Sequence, residues 1–144
     1  MKILISACLL GVRCRYDGAG KPHPDVEELA KKHTLIPVCP EQLGGLSTPR
    51  KPAERQGDLV VTSCGADVTE QYRRGAEESL RLCRLFGCET AVLKERSPSC
   101  GSGQVYDGTF SATLTAGDGV TAALLKENGI AVYGESDIGE LLVK

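Results

Sequence analysis

The chain predicts an α/β fold in a single domain, a mostly parallel sheet with helices on both faces in a Rossmann-like arrangement. Three observations carry that prediction. Short apolar runs alternate with amphipathic stretches along the whole sequence. The runs are apolar enough to be strands covered on both faces. The 144 residues, 41% of them hydrophobic, suffice for one core, and no linker or low-complexity segment divides them. The expected domain is therefore residues 1–144.

The first strand is Lys2 to Ser6. It runs into a loop, Ala7 to Gly18, in which Asp17-Gly18 marks a turn. Pro22 and Pro24 delay regular structure until Asp25, expected to cap a helix with Glu28 as its capping-box partner. Val26, Leu29, Ala30 and His33 then share one helical face, His33 packing at the helix end and His23 exposed. Thr34 to Val38 is the second strand, with Pro37 pointing to an edge position. After it, the stretch from Cys39 through Glu54 shows no clear periodicity, and so long a loop points to function. Asp58 to Thr62 reads as a third strand. Asp67 with Glu70 reads as another capping box, opening a helix whose face steps through Val68, Tyr72, Ala76, Leu80 and Cys83 until Gly87 ends it.

Thr90 to Leu93 is a buried strand, followed by a loop broken by Pro98, Gly101 and Gly103. Tyr106-Asp107-Gly108 repeats the Tyr-Asp-Gly of residues 16–18, and Thr109 to Leu114 reads as a short strand. A helix opens after Asp118-Gly119 and ends at Gly129; Ile130 to Tyr133 is the last strand and Ser136 to Leu142 a terminal helix.

Lys and Arg total 17 against 19 Asp and Glu, a net charge of −2, which argues against extended nucleic-acid binding and leaves a small ligand. The N-terminus lacks the pattern of a secretory signal and no run approaches a membrane span, so the expected setting is a reducing cytoplasm with no membrane partner. Seven cysteines in that setting are buried thiols, metal or cluster ligands, or nucleophiles. None forms a Cys-x-x-Cys pair.

Cys8, Cys39 and Cys100 each stand just past the carboxyl end of an expected strand, where open parallel sheets bind ligands. Cys14 and Cys64 also follow strands, whereas Cys83 and Cys88 belong to the core. Such a set of thiols suits zinc, an iron–sulfur cluster or a catalytic thiolate alike.

The ordered strings Ser6-Ala7-Cys8-Leu9-Leu10-Gly11, Cys14-Arg15-Tyr16-Asp17-Gly18, Cys39-Pro40-Glu41, Thr48-Pro49-Arg50, Asp67-Val68-Thr69, Ser97-Pro98-Ser99-Cys100-Gly101, Tyr106-Asp107-Gly108-Thr109-Phe110 and Gly117-Asp118-Gly119-Val120-Thr121-Ala122 together resemble the thiouracil desulfidase family, a bacterial family. The likeness runs from residue 6 to about residue 135. It implies a 4Fe–4S cluster held by three cysteines, matching Cys8, Cys39 and Cys100, with one iron left open and vulnerable to air. It also implies an acid/base glutamate and a serine, matching Glu41 and Ser97. Cys64 lies outside the matched strings and becomes a packing residue, while Cys14, Arg50 and Ser99 remain candidates for supporting the site or touching substrate.

The implied activity is non-redox removal of sulfur from a thiolated pyrimidine, giving the pyrimidine plus sulfide. A soft open iron favours a thiocarbonyl sulfur over a carbonyl oxygen. Glu41 suits proton transfer with water, Ser97 proton donation at the same centre, and Arg50 orientation of a heterocycle or its phosphate. A cluster-dependent hydro-lyase and a non-enzymatic metal or cluster module are the alternatives. Proton-transfer groups beside the proposed ligands favour catalysis.

Overall fold

The computed structural model describes residues 1–143; Lys144, the last residue of the expected domain, lies outside the described residues. Strands β1 (Lys2–Ser6), β2 (Thr34–Val38), β5 (Thr90–Leu93) and β8 (Ala131–Gly134) form one sheet in the order β2-β1-β5-β8. All three pairings are parallel, with Ser6 opposite Val38 and Leu93 opposite Gly134, so the carboxyl ends share an edge. The chain leaves β1 for β2 on one side and returns to β5 on the other, which makes the β1/β5 crevice a topological switch point. Pro37 sits on an edge strand as expected.

The helices fall on both faces, as the sequence predicts. Ile3, Ile5 and Val92 point one way, against Leu29 of α1 (Val26–Lys32) and Ile138 and Leu141 of α5 (Ile138–Leu142). Leu4, Ala91 and Leu93 point the other way, against Leu80 and Cys83 of α3 (Thr69–Phe86) and Ala122 and Leu125 of α4 (Val120–Glu127). The period-two alternation along β1 and β5 thus builds two half-cores. Among the described residues no helix is long and apolar enough to cross a membrane.

Several local expectations are corrected. Asp25 makes no capping bond: its backbone already has the turn-like φ of −96° and ψ of 1°, unlike the extended geometry a capping side chain needs. Its N–H instead donates to Nδ1 of a half-buried His23, and Glu28 pairs with Lys31. Ala30, expected on the buried face of α1, is exposed. Asp67 accepts the Thr69 N–H, but Glu70 turns to Arg73 rather than completing a box. The expected strand at residues 58–62 exists as β4 (Leu59–Thr62), outside the main sheet, paired antiparallel with β3 (Ala53–Gln56). The stretch read as loop therefore holds the start of β3 and a short helix, α2 (Pro40–Leu43).

Residues 109–113 are bends and irregular chain rather than strand; β6 (Gln104–Tyr106) and β7 (Leu114–Ala116) form the hairpin around them. The two Tyr-Asp-Gly strings share a local device. Asp17 accepts the Ala19 N–H, and Asp107 accepts the Thr109 N–H, so each aspartate closes its own turn.

Candidate functional site

The sheet edge brings together what the sequence separates. Cys8 lies in the 3-10 turn Ala7–Leu10 after β1, Cys39 between β2 and α2, and Cys100 in the loop after β5. All three line one cavity of about 460 Å³, together with Cys14. The Cys39 thiol leans on the Cys14 carbonyl at 3.7 Å. Cys83 and Cys88 lie in the core away from the cavity, the Cys83 thiol against the Cys88 carbonyl at 3.4 Å. Cys64, expected to pack, is exposed in the turn after β4.

Burial pushes the Cys8 thiol up to about 11, with Lys94 pulling it the other way. Burial likewise raises Cys100 to about 12, and raises Cys14 to about 12 with help from its neighbours Cys39 and Cys8. On their own these thiols are protonated at neutral pH, and only a strongly electropositive group would draw thiolates from them. All seven cysteines are free. No set of His, Cys, Asp or Glu among the described residues is arranged to hold a single metal ion. A cluster asks for a wider spread, since each thiolate takes a different iron. Three soft thiols from three separate loops facing one cavity fit that demand.

Glu41 stands in the first turn of α2 and lines the same cavity. Its Oε1 accepts the Tyr72 hydroxyl at 2.7 Å and the Arg50 Nε at 3.2 Å. Two glycines make the approach possible. A Cβ on Gly44 would fall 1.9 Å from the Gln71 carbonyl oxygen, and one on Gly75 1.8 Å from that of Pro40. The four-residue α2 therefore lies directly on α3, whose Tyr72 reaches its carboxylate. Burial, then the Glu41 charge, holds the Tyr72 phenol well above its ordinary range, so it acts as a donor.

Arg50 is not a solvated loop arginine, its side chain being 7% exposed. Beyond Glu41, it donates to the Ser47 carbonyl, the Thr48 hydroxyl and, at 2.9 Å, the Cys14 carbonyl. Its backbone N–H also meets the Tyr16 carbonyl at 2.8 Å. The guanidinium ties the Cys14 loop to Glu41 and still lines the cavity.

Ser97 lines the cavity, and its Oγ accepts the N–H groups of Ser99 at 3.1 Å and Cys100 at 3.0 Å. With its lone pairs so engaged, its remaining capacity is to donate. Ser99 does not line the cavity. It is fully buried, its hydroxyl 2.8 Å from that of Thr121, and it fastens the loop to the start of α4.

Sequence reasoning missed Tyr72 as a functional group, because a tyrosine on an apolar helix stripe reads as core. Its signal was the hydroxyl, which a buried tyrosine must satisfy. It also missed Glu54 and the Lys94–Glu135 pair at 2.6 Å, all but Glu135 in the cavity wall. The wall carries backbone strain as well: Arg96, Phe110 and Ala112 have φ of 69°, 56° and 59°, and all three line the cavity.

The comparisons agree with the fold. Residues 3–137 match the family model described as 2-thiouracil desulfurase. The chain is 43% identical over 150 residues to the uncharacterized protein YbbK of Bacillus subtilis (strain 168), covering 97% of this chain and 99% of that protein. It is 49% identical to a solved structure described as the [4Fe-4S]-dependent thiouracil desulfidase TudS, with a TM-score of 0.93, covering 99% of this chain and 95% of the other. The chain belongs to the 2-thiouracil desulfurase family.

Proposed function

We propose that this chain is an iron–sulfur-dependent desulfidase that converts a thiolated pyrimidine, such as thiouracil, to the pyrimidine plus sulfide without net electron transfer. The observation that carries this reading is the convergence of Cys8, Cys39 and Cys100 with Glu41 on one cavity at the switch point of the sheet. Cys8, Cys39 and Cys100 would hold a 4Fe–4S cluster, which when bound supplies a soft Lewis-acid iron with an affinity for thiocarbonyl sulfur.

The protein supplies the rest. Glu41 takes a proton from the water that attacks the thiocarbonyl carbon and returns it to the departing side. Tyr72 and Arg50 fix Oε1 of that carboxylate, leaving Oε2 for the proton. Ser97 donates its hydroxyl proton towards the reacting group. Cys14 supports the site through its carbonyl, which Arg50 and Cys39 both engage. The loops of β1, β2 and β5 all contribute, so residues 1–144 work as one desulfidase unit on a small-molecule substrate. Free thiols throughout accord with a cytoplasmic setting.

A carboxylate held by two donors beside the thiols favours catalysis over storage or sensing. The test is anaerobic reconstitution followed by an absorption spectrum, iron and sulfide content, and sulfide release from 2- and 4-thiouracil. A loaded protein that releases no sulfide from either would overturn the reading.

A further inference from the structure

Three carboxylates line the cavity, those of Glu41, Glu54 and Glu95. Glu95 is tied through its Oε1 to the Ser136 backbone N–H, and the chemistry of the site leaves Glu54 unused. It stands on β3, only 8% exposed. Its Oε1 accepts the backbone N–H of Gly108 at 2.9 Å and that of Phe110 at 3.1 Å. Among the described residues no cation pairs with it and Oε2 has no hydrogen-bond partner. No fully buried side-chain oxygen lacks a partner there, so Oε2 keeps contact with open space. The open space that Glu54 borders is the cavity.

The same carboxylate holds an aromatic ring in place. Phe110 lines the cavity, is 37% exposed, and has a φ of 56° that a phenylalanine rarely adopts. The bond from its N–H to Glu54 offsets that strain. Gly108 makes the approach possible, since a Cβ there would lie 2.7 Å from the Arg55 carbonyl oxygen. An aromatic face beside a free acceptor is what a flat heterocycle with an N–H edge requires.

We infer that Glu54 is a specificity-determining residue: its Oε2 accepts a hydrogen bond from a ring N–H of the heterocycle while Phe110 covers the ring face. This rests on the desulfidase reading, which supplies the substrate class. An acceptor at this position selects the N–H-bearing thione form of the ring and rejects a ring alkylated at that nitrogen.

Glu54→Gln tests it with little change of shape. The Gly108 and Phe110 N–H groups still need an acceptor, so the amide carbonyl stays on the loop and its NH₂ replaces Oε2, setting donor against donor. In cluster-loaded protein, KM for 2-thiouracil and Kd for the unreactive product uracil should each rise roughly 10- to 100-fold, the effect of one charge-assisted hydrogen bond. Iron content and melting temperature should match wild type, and kcat should change far less than KM. Wild type should bind one of 1-methyluracil and 3-methyluracil much more weakly than uracil, and Glu54→Gln should lose that discrimination. An unchanged uracil Kd, or a loss confined to kcat, overturns the inference. So does weakened uridine binding with uracil binding intact, which would assign Glu54 to the sugar. Should the variant fail to fold, the wild-type series decides, and equal affinity for uracil and both methyl analogues overturns the inference. The desulfidase reading fails on a separate result, the absence of sulfide release by loaded wild type.

Discussion

Tyr72 donates a 2.7 Å hydrogen bond to Glu41 Oε1 across 31 positions of sequence, from one helix to another. With Arg50 on the same oxygen, the carboxylate is held from two sides while its other oxygen is left to the cavity. Orientation of this kind is what general acid–base chemistry needs from a scaffold.

Glu41→Gln keeps the size and removes the base. Iron content and the cluster spectrum should stay near wild type while turnover falls roughly 10²- to 10⁴-fold, the usual range for a lost general acid–base group. Steady-state sulfide release on the loaded protein measures it, and wild-type turnover would sink the assignment.

Tyr72→Phe removes one donor without changing the packing of the ring. Turnover should fall about tenfold, the effect of a single hydrogen bond, with KM and iron content held. Because Arg50 remains on Oε1, the loss should be smaller than that of Glu41→Gln.

Cys8→Ser, Cys39→Ser and Cys100→Ser should each abolish reconstitution and sulfide release. Cys83→Ser, in the core, should keep the cluster and cost on the order of 1 kcal/mol in a urea melt. Cys64→Ser, at an exposed turn, should leave both unchanged. Iron binding that needed Cys83 and not Cys100 would contradict the placement of the site.

Gly75→Ala places a methyl group against the Pro40 carbonyl oxygen, where there is 1.8 Å of room. Helices α2 and α3 would have to part, costing about 1–3 kcal/mol of stability. Activity should fall with it, because Glu41 rides on α2. Alanine's better helix propensity would predict the opposite sign, so a thermal melt separates the two.

The cluster-free protein should weaken in alkali. The thiols of Cys8, Cys14 and Cys100 titrate near 11–12 when folded, above the ordinary thiol value of 9.0. Between those values the unfolded chain sheds protons that the folded chain keeps, so stability falls as pH rises from 9 towards 12. Urea melts at stepped pH measure the slope, and Cys14→Ala should flatten it.

The four strands of the main sheet and their thiols were legible because buried parallel strands are apolar runs, and three of those runs each delivered a cysteine to one edge. Strand β3 was not, since Ala53-Glu54-Arg55-Gln56 has no apolar pattern and takes its conformation from pairing with β4. The capping boxes at Asp25 and Asp67 had the right residue types, but the backbone is in a turn at one, and at the other the helix starts a residue later, with Val68 at the cap. Tyr72 and Glu54 eluded the sequence because helical period and strand propensity say where a residue lies and not which distant group its oxygen meets.

The pairing of β1 with β5 sets an order of events during synthesis. Ser6 meets the backbone N–H of Lys94 across 88 positions, and Cys100 is presented only beyond that contact. A nascent chain that ends before β5 carries two of the three proposed ligand thiols and lacks the wall that β5 and its loop supply to the cavity. Closing that long contact is the slow part of assembling such a sheet. On the proposed ligand set, cofactor loading would wait on a completed fold, and a truncated chain would carry no iron.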